Sequence, residues 1–129
     1  MAINYKIVKQ GNTPLTDPDR EYYTARVCSR SKISLKKIAE RISQRCTLSK
    51  ADIYGTLVEL TTIIPECLLE NQSVELGSLG TFSCSISSQS EASPEEVTWR
   101  SIKGLKVQFR AGKELKEELR DVQFKRVDE

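Results

Sequence analysis

Apolar residues first fall into a helical rhythm after Ser34, where Leu35, Ile38, Ala39 and Ile42 recur three and four apart. Ser34 is placed to cap that helix, and Lys36, Lys37, Arg41 and Arg45 lie elsewhere around it. After a short connection at Thr47-Leu48, Ser49-Lys50-Ala51-Asp52 reads as a capping-box variant with Asp in place of Glu. It opens a long helix with Ile53, Leu57, Leu60, Ile64 and Leu68 on one face. Pro65 lacks a backbone donor, so a kink or break is expected there, and Glu70-Asn71-Gln72 ends the element. Elsewhere the period shortens to two. Tyr5–Val8 and Tyr22–Val27 read as N-terminal strands, separated by a loop with Gly11, Pro14 and Pro18. Thr81–Ser87 and Val97–Phe109 read as an outgoing and a returning strand, the second carrying Trp99, Ile102, Leu105 and Val107 and interrupted at Gly104, a place for a bulge or bend. The polar run Ser88–Glu96 between them suits a hairpin tip. A short helix is expected over Ala111–Arg120, with Leu115 and Leu119 four apart, and Val122–Val127 alternates like a strand that would pair with an N-terminal one.

Composition narrows the chemistry. The 129 residues suit one domain, or a small domain with terminal additions. No apolar run approaches the roughly 20 residues that cross a bilayer, and the N-terminus lacks the apolar core of a signal peptide, so a cytoplasmic location is expected. Cys28, Cys46, Cys67 and Cys84 are widely spaced and there is no histidine, which argues against a zinc site, a disulfide framework and a histidine general base. Cys46 and Cys67 fall near helical apolar positions, where a free thiol behaves as a small hydrophobe. No enzyme, cofactor, metal or small-molecule substrate is expected.

Net charge is only +2, but it is segregated. Residues 1–50 carry eleven Lys and Arg against four Asp and Glu, residues 51–99 carry eight acids and no base, and residues 100–129 carry nine bases against six acids. If the two ends meet, such a pattern builds one positive face; otherwise the charges simply solvate the helices. The two helices also invite a helix-turn-helix reading, against which the second is too long and too acidic for a recognition helix.

Two segments answer one another: Gly77-Ser78-Leu79-Gly80-Thr81-Phe82, a glycine turn between strands, and Phe109-Arg110-Ala111-Gly112-Lys113-Glu114-Leu115-Lys116, a strand delivering a base and a glycine onto a helix N-terminus, where phosphate is favoured. This pair resembles the HU/integration host factor family of small DNA-bending proteins. The resemblance covers residues 34–120 and implies an α+β fold: two N-terminal helices, a three-stranded antiparallel sheet with a projecting β-hairpin arm, and a C-terminal helix, in an intertwined homodimer whose core includes Ile53, Leu57, Leu60, Phe82 and Phe109. Residues 1–33 and 121–129 fall outside that plan and look like extra terminal strands. The resemblance further implies duplex DNA as partner, in the nucleoid, bound through phosphates with little sequence reading. Its contacts, carried onto matching positions, are Arg110, Gly112, Lys113 and Lys116 on the body, Gly80 and Thr81 where backbone approaches DNA, Arg100 and Lys103 on the returning arm strand, and Pro94 as the wedge.

The sequence departs from the family pattern in the arm: residues 83–99 hold Glu91, Glu95 and Glu96 and no base, and a proline at a hairpin tip also serves turn geometry alone. Two functions therefore stand side by side, an architectural DNA-binding dimer and an HU-like fold reused as a protein-assembly module whose terminal strand edges accept a partner.

Overall fold

In a computed structural model, which describes residues 2–11 and 20–127, both helices start where side-chain caps supply a backbone partner. Ser34 Oγ accepts from the Lys37 amide at 3.3 Å and opens α1, Leu35–Ser43; Ser49 Oγ accepts from the Asp52 amide at 3.1 Å and opens α2, Lys50–Leu69. The helices pack on each other around Ala39 and Ile53, both buried. Ile53, Leu57, Leu60, Ile64 and Leu68 form the covered stripe of α2, as the periodicity predicts. No break occurs at Pro65: α2 runs through it to Leu69, one missing donor being outweighed by the remaining ladder and the covered stripe. The helix stops in a Schellman arrangement: Asn71 adopts φ 63°, its amide reaches the Leu68 carbonyl at 3.2 Å, and the Gln72 amide reaches the Cys67 carbonyl at 3.1 Å.

Two units share the chain, Ser34–Glu118 and a second made of Met1–Ile33 with Leu119–Glu129. In the first, β3 (Val74–Glu75), β4 (Gly80–Ser88) and β5 (Ile102–Ala111) form an antiparallel sheet in that order, followed by α3 (Lys113–Glu118). The returning strand thus begins at Ile102 rather than Val97. Residues 94–96 and 99–101 form 3₁₀ turns instead, because Thr98 and Ser101 cap each other: the Arg100 amide donates to Thr98 Oγ1 at 3.3 Å and the Thr98 amide to Ser101 Oγ at 3.2 Å. A bulge falls beside Gly104, with Ser87 opposite Gly104 and Ser88 opposite Ile102, leaving Lys103 as the extra residue. The last helix is six residues long, shorter than the Ala111–Arg120 expected, since Leu119 already belongs to the other unit.

That other unit is a three-stranded sheet of β1 (Ala2–Lys9), β2 (Tyr23–Val27) and β6 (Gln123–Arg126) in the order β2-β1-β6. β2 runs antiparallel to β1 and β6 parallel to it, so the first and last strands of the chain pair directly, although the whole helical unit separates them in sequence. Pro14 and Pro18 of the expected loop lie outside the described residues. All four cysteines are free; Cys67 is half-buried on α2, whereas Cys46 is exposed in the connection between the helices rather than on a helical apolar face.

Candidate nucleic-acid interface

The hairpin of β4 and β5 has two unlike faces, and strict alternation makes them. Register pairs Phe82 with Phe109, Cys84 with Val107 and Ile86 with Leu105 on one face. The Phe82 and Phe109 rings lie 4.8 Å apart, centroid to centroid, at the base of this apolar row. On the other face Thr81 pairs with Arg110, Ser83 with Gln108, Ser85 with Lys106 and Ser87 with Gly104. This second row carries hydroxyls, an amide and two cations, all donors suited to phosphate oxygens, and the residues it draws from β5 are exposed. Glu75 opposes Thr81 on β3 and is the acid bordering that row. Lys106 and Gln108 escaped the sequence reading, although their alternation with Leu105, Val107 and Phe109 was the signal for them.

The two glycine segments do meet. The Gly112 amide donates to the Leu79 carbonyl at 3.0 Å, and Gly80 opposes Ala111 in the ladder. Gly77, at φ 58°, starts the turn that the Leu79 amide closes on the Leu76 carbonyl at 3.1 Å. Their glycine content has an internal cause. Gly80 is buried at φ 150°, and a Cβ there would collide with the Arg110 carbonyl and, at 2.7 Å, with the Phe109 ring. A Cβ on Gly112 would strike the Ser78 carbonyl. Both glycines therefore let the turn sit against the end of β5 and aim Arg110, Lys113 and Lys116 outward, where all three are exposed. With only six residues in α3, the helix dipole is small and these side chains carry the charge.

At the far end of the hairpin a polar clasp orders the tip. Glu91 Oε1 accepts from Gln89 Nε2 at 2.7 Å and from Ser101 Oγ at 2.9 Å, while the Gln89 amide donates to the Ser101 carbonyl at 2.9 Å. Ser101 is 2% exposed, and Gln89 first, then Ser101, holds the Glu91 carboxyl below the usual carboxylate range. One of the three arm acids is thus committed internally, whereas Glu95 and Glu96 stay exposed on the turn that Pro94 opens. Arg100 lies on the second turn rather than on a strand, its guanidinium 5.4 Å from the centre of the Trp99 ring. Trp99, read from sequence as a strand residue, stands 76% exposed. Pro94 is exposed as well, and Lys103 projects from the bulge. The expected positions therefore separate into a base (Thr81, Arg110, Gly112, Lys113, Lys116) and a tip (Pro94, Arg100, Lys103), with Lys106 between them along β5. Among the described residues no group of three or more Cys, Asp or Glu is placed to hold a metal, and no helix is long and apolar enough to cross a membrane.

A two-helix unit, a three-stranded sheet and a projecting hairpin with a turn packed against its root define the HU/integration host factor class of α+β proteins. Within that class the chain belongs to the family described as an HU domain fused to a wHTH, Ig or glycine-rich motif (HU-HIG), whose model matches residues 1–126. Among solved structures it is similar to a candidate bacterial DNA-binding protein from Bacteroides vulgatus ATCC 8482, at TM-score 0.64 and 13% identity over 98% of this chain and 48% of that one. It therefore spans about half that protein's length. Anabaena HU, in a cocrystal with DNA, is similar at TM-score 0.54 and 15% identity over 69% of this chain and 99% of that one. No curated protein matches the sequence.

Proposed function

We propose that the protein is an architectural DNA-binding protein that grips duplex phosphates along the polar face of its hairpin and acts as a homodimer. The observation that carries this reading is the two-faced hairpin: the row of Lys106, Gln108 and Arg110 opposite the apolar row of Leu105, Val107 and Phe109. Phosphate contacts by Lys106, Arg110, Lys113 and Lys116 release counterions and fix position without reading sequence. The Thr81 and Ser hydroxyls of β4 add hydrogen bonds to the same backbone, and Gly80 and Gly112 contribute by shaping the turn. Arg100 and Lys103 extend the cationic row toward the tip, where Pro94 is the residue placed to wedge a base step. HU and integration host factor are themselves standard examples of minor-groove wedging, so that part of the reading is taken over from the family.

Homodimerisation has its own support. Leu105, Val107 and Phe109 are 57%, 62% and 45% exposed in the single chain, a continuous apolar row of the kind a second copy covers. A second reading, an assembly module with weak DNA affinity, draws on Glu95 and Glu96, exposed at the tip where DNA would approach.

The deciding experiment is fluorescence anisotropy of a labelled duplex of ~30 base pairs across a salt series, with Lys106→Gln/Arg110→Gln beside the unmodified protein. Affinity should fall steeply with salt, and the double variant should lose about 1.8 from the log–log slope for each chain engaged. No binding by the unmodified protein at low salt decides for the assembly module.

A further inference from the structure

The tip of the hairpin holds the largest apolar side chain that the fold leaves uncovered. Trp99 is 76% exposed, although a ring of that size contributes most when it is buried. The β4–β5 ladder ends where Ser88 opposes Ile102. Trp99 therefore stands beyond the row of Leu105, Val107 and Phe109 that the dimer reading assigns to a second copy. Its backbone is nonetheless well tied. Trp99 opens a 3₁₀ turn fixed by the reciprocal Thr98–Ser101 cap, and buried Ser101 is bonded in turn to Glu91 and Gln89. The indole is thus held out from an ordered turn, which lowers the entropy cost of any contact made there.

Arg100 follows directly, with its guanidinium over the ring, 5.4 Å from the ring centre. A cation on one face of an indole leaves the opposite face for a second planar group. An exposed aromatic ring beside a guanidinium is a pair on which nucleic-acid bases stack, since every base offers a π-face. The acids of the tip favour such a contact over a purely ionic one. Glu95 and Glu96, exposed on the preceding turn, repel phosphate. Charge alone therefore holds the tip to DNA less well than the root, where Arg110, Lys113 and Lys116 stand. Stacking needs no net charge.

We propose that Trp99 stacks on a base of the bound duplex where the hairpin tip enters it, and so anchors the tip by an uncharged contact. This rests on the DNA-binding reading above and adds to it the residue that fixes the tip. The test uses the full chain, the same duplex and the same salt series. Trp99 is the single tryptophan, so indole emission at neutral pH reports on this contact. Adding duplex should quench it with the midpoint of the anisotropy change. Trp99→Ala should bind about 5- to 150-fold more weakly for each tip engaged, by the same factor at every salt concentration. Its log–log slope should stay unchanged, unlike that of Lys106→Gln/Arg110→Gln. Trp99→Phe keeps a ring and should recover most of the lost affinity, which separates stacking from damage to the turn. If the unmodified protein binds, either unchanged indole emission or full affinity in Trp99→Ala refutes stacking and leaves the phosphate grip standing. Emission that follows protein dilution rather than DNA would assign the ring to the dimer and refute it equally. If the unmodified protein does not bind, both readings fall together.

Discussion

The dimer proposal makes a quantitative demand on the apolar row of the hairpin. Leu105 and Val107 keep 57% and 62% of their surface exposed in the single chain. Full burial of such a side chain contributes about 1.5–3 kcal/mol, so covering what remains exposed is worth about 1–2 kcal/mol for each residue. A symmetric interface uses each residue twice. Leu105→Ser/Val107→Ser should therefore weaken the dimer by about 4–7 kcal/mol, a factor of about 10³–10⁵ in dissociation constant. Sedimentation equilibrium over a dilution series measures this directly, with circular dichroism to show that helices and hairpin persist. A double variant that dimerises as tightly as the unmodified protein would refute the argument, because the row would then be covered by something other than a second copy.

Gly80→Ala and Gly112→Ala should each destabilise the protein by about 1–3 kcal/mol in urea unfolding, since a Cβ at either position meets a backbone carbonyl that has little room to move. If both are neutral, the turn is not wedged against β5 as described. The clasp at the tip should respond to acid. The Glu91 carboxyl is held below its ordinary range, so the stability it contributes is present above the ordinary carboxylate pKa and is lost as pH falls through the lowered folded value. Trp99, the single tryptophan, lies beside the clasp and should change its emission as pH falls through that lowered value, below the ordinary carboxylate range; Glu91→Gln should abolish that transition.

Local chemistry was legible in the sequence and long-range chemistry was not. Ser34 and Ser49 were readable as caps because the amides they hold lie three residues away. Gly80 and Gly112 were readable as special, but not the reason. What crowds Gly80 is Phe109 and Arg110 from across the ladder, and what crowds Gly112 is the carbonyl of Ser78. Val97–Ser101 misled for a related reason: its apolar residues suit a strand, while the reciprocal Thr98–Ser101 cap wins the backbone for a turn. Leu115 and Leu119 share helical spacing yet fall in different units, so the spacing overstated α3. The terminal strands were visible in their alternation. So was the pairing of the last strand with an N-terminal one, which brings the basic ends of the chain together; its parallel sense was not, because it depends on the path of the whole chain between them.

Apolar and cationic residues sit on opposite faces of the same strands, so association and DNA binding are separable by mutation even though they are coupled in energy. Among the described residues only Cys28, Ala39 and Ile53 are buried apolar side chains, so a lone chain has little core of its own and depends on covering its apolar rows. A dimer built on Leu105 and Val107 carries two copies of the Lys106–Arg110 row on one body, and the second copy then engages at a raised effective concentration. Leu105→Ser/Val107→Ser removes no cation, yet below its dimer concentration it should bind with about half the salt slope of the unmodified protein. Lys106→Gln/Arg110→Gln should do the reverse, lowering the slope while leaving the sedimentation profile alone. If the interface variant keeps the full slope as a monomer, a single chain already makes all the phosphate contacts, and the dimer has no part in gripping DNA.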